Sequence, residues 1–157
     1  MNQPTKLLVF RLNDRLCALY LEQVLQVVHA VDVTPLPQAP EIVMGAIDLH
    51  GKVVPLLNIR RRFGFADRGV SADDQFIIAE ATNRIVALAV DEVRGIVERA
   101  ADQIVPAEDI AGALEHVDSI IQLEDGLALI HDLGKFLSLE ERRELENAMA
   151  GEASDAR

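Results

Sequence analysis

The chain has 157 residues and weighs 17.2 kDa, room for one domain or two very small ones. Its 15 Lys and Arg against 26 Asp and Glu leave a net charge of −11, and the three lysines, Lys6, Lys52 and Lys135, are scattered. That excludes a protein built to wrap nucleic acid or an anionic membrane surface, because phosphate binding draws on clustered cations. Half the residues are hydrophobic but only 4% are aromatic, so the core must come from Val, Ile, Leu and Ala.

Cys17 is the one cysteine, which rules out an internal disulfide and predicts a reducing compartment. The first six residues lack the apolar core of a signal peptide, and no stretch of 18 apolar residues runs without a charge. The expectation is a soluble, cytoplasmic protein.

In chain order, residues 7–12 and 16–21 are short apolar runs around Asn13-Asp14-Arg15, a strand–turn–strand pattern. Residues 27–33 are rich in β-branched side chains and read as a strand; Pro35, Pro37 and Pro40 then impose an extended loop. Residues 42–49 and 53–59 predict a second hairpin across His50-Gly51-Lys52, and 76–81 and 85–90 a third across Thr82-Asn83-Arg84. Strands at 93–97, 117–123 and 127–130 complete a set of about ten, at the spacing of barrels or sandwiches. Ser138 and Glu141 have the capping-box spacing and predict one surface helix over 138–150, with 151–157 a frayed tail.

The chain also repeats itself. Residues 15–28 overlay 84–97 without a gap at an offset of 69, with Arg15, Ala18, Leu19, Val24 and Val28 identical to their counterparts. Residues 45–63 overlay 119–137 at an offset of 74, matching Ile47 with Ile121, Leu49 with Leu123 and Asn58 with Asp132. Two overlays in the same order predict a duplication and two similar β-subdomains of roughly 70 residues each.

No residue pattern assembles an active site. The segment 64–71 has the outline of a phosphate-binding loop, but Val70 stands where the lysine must be. The histidines at 29, 50, 116 and 131 lack metal-ligand spacing, and no serine lies in a nucleophile elbow. Cys17, opposite Val86 in the repeat, reads as a small core hydrophobe.

The run from Val43 to Gly64, with its Met44-Gly45 corner, His50-Gly51 turn and Val54-Pro55-Leu56-Leu57-Asn58, follows the proline loop and resembles the signature of CheW-like domains. The likeness extends over residues 6–137. It implies a mainly β fold: two side-by-side five-stranded SH3-like barrels plus a C-terminal helix, one CheW-like domain over 1–157. The expected subdomains are 13–70 and 71–137, with the N-terminal strand open to sharing between them.

The family is one of adaptors without catalytic activity, cofactor or metal, which couple the cytoplasmic tips of chemoreceptors to a CheA-type histidine kinase. The resemblance therefore implies those two partners, other CheW-like adaptors as neighbours, no nucleic acid, no membrane insertion, and recruitment to membrane-associated receptor arrays. It assigns Val24, Val27, Ile47 and Leu49 to a receptor-binding groove, although each also fits a plain core position. Met44, Gly45 and Ile110 fall at the kinase or neighbouring-adaptor contact. Gly51 and Pro55 keep the family signature; His50 replaces its usual Arg, and Gln26 stands where Glu is common. Because His near neutrality carries little charge, His50→Arg is expected to raise affinity for a mainstream array. A CheW-like adaptor serving pilus motility or second-messenger control is the first alternative, and a small-ligand β-barrel the second.

Overall fold

The computed structural model describes residues 3–81, 83–109, 117–135 and 138–155. The chain begins with the hairpin β1 (Thr5–Leu12) and β2 (Arg15–Tyr20), passes a 3-10 turn at Leu21–Gln23, and enters β3 (Val24–His29). The proline loop leads to the hairpin β4 (Val43–Leu49) and β5 (Lys52–Leu57), then to the single-turn helix α1 (Ile59–Arg62). The second half follows the same plan: β6 (Gln75–Ala81), β7 (Arg84–Val90), β8 (Glu92–Arg99), a two-residue β9 (Val105–Pro106), then the hairpin β10 (Val117–Leu123) and β11 (Gly126–His131). Helix α2 (Leu139–Asp155) closes the chain.

The turns form where the sequence supplies residues that tolerate a left-handed backbone. Asn13, His50 and Asn83 have φ of 53°, 51° and 66° at the tips of the first three hairpins. At the second tip His50 and Gly51 are both left-handed, as a type I′ turn requires, and the Gly51 N–H donates to Asp48 Oδ1 at 2.8 Å.

The strands form two sheets, in the orders β8-β1-β2-β11-β10-β9 and β3-β6-β7-β5-β4. These are the two SH3-like subdomains that the resemblance implied. Both repeat offsets recur in the structure: β2–β3 matches β7–β8, and β4–β5 matches β10–β11. The sheets nevertheless cut across the expected boundaries of 13–70 and 71–137. Each takes its first hairpin from one half of the repeat and its remaining main strands from the other. β3 pairs antiparallel with β6, and β8 with β1. β5 runs parallel to β7, and β11 parallel to β2. Sharing is thus reciprocal, and wider than one N-terminal strand.

Burial explains the exchange. In β1, Leu7 and Val9 face the interior of one subdomain, while Leu8, Phe10 and Leu12 face the seam between the two sheets. In β7, Ala87 and Ala89 face the other interior while Val86, Leu88 and Val90 face the same seam. Hairpins buried on both faces read as continuous apolar runs, and two of them placed back to back give three layers of core. Cys17 and Val86, paired by the repeat, both lie in the central layer; burial pushes the Cys17 thiol up to about 12, so it behaves as an inert apolar group.

Three local expectations shift. The strand expected at 27–33 spans Val24–His29, because its last rung is His29 against Gln75. The strand expected to reach residue 59 stops at Leu57; the Asn58 side chain then caps α1, accepting from the Arg61 N–H at 3.4 Å. The C-terminal helix starts on its predicted capping box, with the Ser138 N–H donating to Glu141 Oε1 at 2.9 Å and the Glu141 N–H to Ser138 Oγ at 3.1 Å. It continues to Asp155 instead of ending at 150, since Gly151 costs a helix only about 1 kcal/mol and no proline follows. Its thin apolar stripe is enough to dock it: Leu145 and Ala148 pack on Leu36 of the proline loop.

Candidate functional site

β3 lies at the free edge of its sheet and carries Val24 and Val27, both half-buried against the central core layer. Leu25, on the same strand, is 52% exposed. Ile47 and Leu49 lie elsewhere. Ile47 is only 2% exposed and belongs to the interior of the β3–β7 sheet, with Leu49 half-buried against the same cluster. Of the four residues assigned to a receptor groove, the fold therefore gathers Val24 and Val27 and turns Ile47 inward. The reason is the period of two along β4, which points Ile47 to the side of Val54 and away from solvent.

The Met44-Gly45 corner is a β-bulge, where the β4–β5 register slips between Val43 and Gly45. Gly45 has φ of 153°, and the chain crosses it closely: Thr34 and Ala46 exchange two backbone hydrogen bonds of 2.8 Å each. Met44, the residue left out of the ladder, is half-buried on the interior cluster. Pro55 faces Ala46 and precedes the parallel rungs that start at Leu56, so its missing N–H leaves that short ladder intact. His50 and Gly51 are exposed at the hairpin tip. Ile110 and His116 fall outside the described residues.

The surface also shows apolar residues that the sequence reading did not single out. Val53 and Leu127 are 48% and 61% exposed, and an offset of 74 makes them counterparts on the outer hairpins of the two subdomains. The repeat was the signal that could have found them, since an apolar residue at matching outward positions of both hairpins has no interior role. Val31, Ile96 and Val105 are exposed as well. Scattered single residues of this kind are ordinary; Val53 and Leu127 differ in forming a matched pair on the two similar subdomains.

A polar cluster where the two sheets cross fixes their relation. Asp91, between β7 and β8, accepts from Arg11 Nη1 at 3.1 Å, from the Asn13 backbone N–H at 3.1 Å and from Arg68 Nη2 at 2.8 Å. It also forms an ion pair with Arg60, whose side chain is 1% exposed and whose Nε donates to Asn13 Oδ1 at 3.2 Å. Arg68 in turn donates to both oxygens of Asp74, at 2.7 and 3.0 Å. Arg11 and Asn13 belong to one sheet and Arg60 follows the other, so the carboxylate of Asp91 clamps the subdomains together. Its repeat counterpart Glu22 is exposed and has no ion pair among the described residues. A conservative Glu/Asp match in the sequence does not reveal that only one of the two sites is a clamp.

Burial pushes the Asp74 carboxyl up, but the Arg68 guanidinium, the Ser71 N–H and Arg60 together outweigh it and hold it below the usual carboxylate range. A lowered folded-state value means that ionised Asp74 stabilises the fold above its unfolded-state value of 3.8 and loses that contribution as pH falls through the folded value. Urea midpoints are expected to drop more steeply below pH 4 in the native chain than in Asp74→Asn. Parallel pH profiles for the two proteins would contradict this.

No helix among the described residues is long and apolar enough to cross a membrane, and no cluster of metal-ligating side chains occurs among them. Comparison with known proteins places these surfaces in context. The family profile of the CheW-like domain matches residues 6–141. The chain is 28% identical over 143 residues to the chemotaxis protein CheW of Rhizobium meliloti (strain 1021), covering 90% of this chain and 92% of that protein. It is 28% identical over 144 residues to the chemotaxis protein CheW of Klebsiella aerogenes, covering 89% and 86%. The crystal structure of the scaffolding protein TtCheW from Thermoanaerobacter tengcongensis superposes with a TM-score of 0.79 at 30% identity, covering 88% of this chain and 96% of that one.

Proposed function

The chain belongs to the CheW-like domain family, and we propose that it is a non-catalytic adaptor of chemotaxis signal transduction, coupling the cytoplasmic tip of a chemoreceptor to a CheA-type histidine kinase. The observation that carries this reading is the agreement, over nearly the whole chain, with a scaffolding protein of the same two-subdomain fold. Two further features support it. Buried Arg60 and Asp74 serve the clamp between the subdomains, and the exposed Val53 and Leu127 occupy matched positions of the two barrels.

In this reading the receptor helix lies along the β3 edge, against Val24, Val27 and the exposed Leu25. Ile47 supports that sheet from inside and Leu49 ends its outer hairpin, so neither is a primary contact. The kinase, or another CheW-like adaptor, meets the Met44-Gly45 corner and the segment that contains Ile110. The protein works in the cytoplasm and joins receptor arrays through these contacts.

Co-purification with the CheA-type kinase and a receptor signalling fragment from the same organism tests the proposal. Leu25→Glu is expected to reduce receptor capture at least about tenfold, because it places a charge in an apolar contact, while kinase capture is unchanged. Met44→Glu is expected to do the reverse. Failure of the native chain to capture either partner would sink the adaptor reading, and equal loss of both partners in each variant would sink the division of surfaces.

A further inference from the structure

A partly open cavity of about 220 Å³ lies between α2 and the body of the protein. Leu57, Val86, Leu133 and Leu145 wall it, and Arg84, Arg142 and Glu146 also line it. The four leucine and valine walls are almost wholly buried. Among the described residues neither guanidinium has an ion-pair or side-chain hydrogen-bond partner, and Arg142 Nε is shielded from solvent as well. Glu146, four residues along the helix from Arg142, pairs with neither. A shielded, unpaired guanidinium nitrogen is costly, and such groups ordinarily have an acceptor.

The duplication places a related site in the other half. The two offsets carry Arg84 onto Arg15 and Leu57 onto His131. There Phe63 stacks flat on His131, with ring centroids 3.6 Å apart and planes 8° from parallel. That site is open as well, lined by Arg15, Phe63, Leu129 and His131.

The geometry points to a binding site for a small monocarboxylate with an apolar body. The carboxylate lies between Arg84 and Arg142, whose planar donor forks suit its two oxygens. The apolar body covers Leu57, Val86, Leu133 and Leu145. Two guanidinium charges against the single carboxylate of Glu146 leave one positive charge to neutralise. That matches a monoanion and disfavours a phosphate dianion, which would also face Glu146. At roughly 30 Å³ per water-sized unit the space holds about seven such units, and its open side accommodates the rest of a chain of about ten heavy atoms. The occupant would touch Leu57, Val86 and Leu133, which belong to the core layer joining the subdomains. The site goes beyond the adaptor reading and stands or falls separately from it.

Octanoate is the probe, with octanol as the uncharged control. Octanoate at millimolar concentration is expected to raise the melting temperature of the full chain, since a ligand bound only by the folded state stabilises it by mass action. Octanol is expected to have a clearly smaller effect. Arg84→Gln and Arg142→Gln are each expected to weaken octanoate binding about tenfold, the loss of one charge-assisted contact. In the native chain, NMR is expected to show contacts from the octanoate methyl group to the methyls of Leu133 and Leu145, a measurement that does not depend on the variants folding. Absence of those contacts, or equal affinity in the native chain and both variants, would overturn the proposal.

Discussion

Asp91→Ala is expected to destabilise the protein by about 3–5 kcal/mol, the cost of leaving a buried cation without its partner. Arg60 is 1% exposed and cannot reach water when Asp91 is removed. Burial already lowers its affinity for the proton, and the neighbouring Arg68 adds to the effect. Two more guanidinium groups, Arg11 and Arg68, lie on the same carboxylate, so its loss leaves cations facing one another across the seam. Two outcomes distinguish this account from a simple packing defect. Asp91→Asn, which keeps acceptors for Asn13 and the arginines, should lose less than Asp91→Ala. The double variant Asp91→Ala/Arg60→Met should recover part of the loss, because no buried charge then lacks a partner. Urea unfolding of the four proteins decides it, and a double variant less stable than Asp91→Ala would refute the clamp.

Gly45→Ala is expected to cost about 2–5 kcal/mol, from overpacking and backbone strain combined. A Cβ at this position would collide with the Thr34 carbonyl oxygen and stand 2.7 Å from Val33 Cγ1. Neither can yield cheaply, because Thr34 holds Ala46 through both of its backbone hydrogen bonds, at 2.8 Å. Gly51→Ala is the matching control: its φ of 89° is strained for alanine, but no atom lies within 4 Å of the new methyl group. The control should cost only about 1 kcal/mol. Equal melting temperatures for the two variants would show that close approach at Gly45 carries no special weight. The comparison also bears on function, since a corner that tolerates no side chain presents Met44 in one fixed position to whatever binds there.

Both sites show how differently parts of this protein can be read from its sequence. The hairpins were legible because their tips carry Asn13, His50-Gly51 and Asn83, residues that accept a left-handed backbone, between apolar runs of strand length. The repeat was legible because the two halves bury equivalent positions, so Leu19 and Leu88, or Cys17 and Val86, occupy the same layer. The capping box of α2 was legible because its two hydrogen bonds are local to four residues. The burial of Ile47 was not legible, because an apolar side chain on a strand looks the same whether it faces a groove or an interior. The clamp was not legible at all: Arg11, Arg60, the Arg68–Asp74 loop and Asp91 come from four separate segments, and nothing local distinguishes Asp91 from the exposed Glu22.

The sequence alone determined the local structure, the doubling of the chain and the family. Turn chemistry, apolar spacing and caps act over a few residues and leave their mark in order along the chain. Which half's hairpin enters which sheet was decided only by tertiary structure. Hairpins apolar on both faces need cover on both sides, and the reciprocal exchange supplies it by setting them back to back. The same packing brings Asp91 to its arginines and leaves space beside Arg84 and Arg142. These are encounters between segments far apart in sequence, whose energies depend on burial that no single segment possesses by itself.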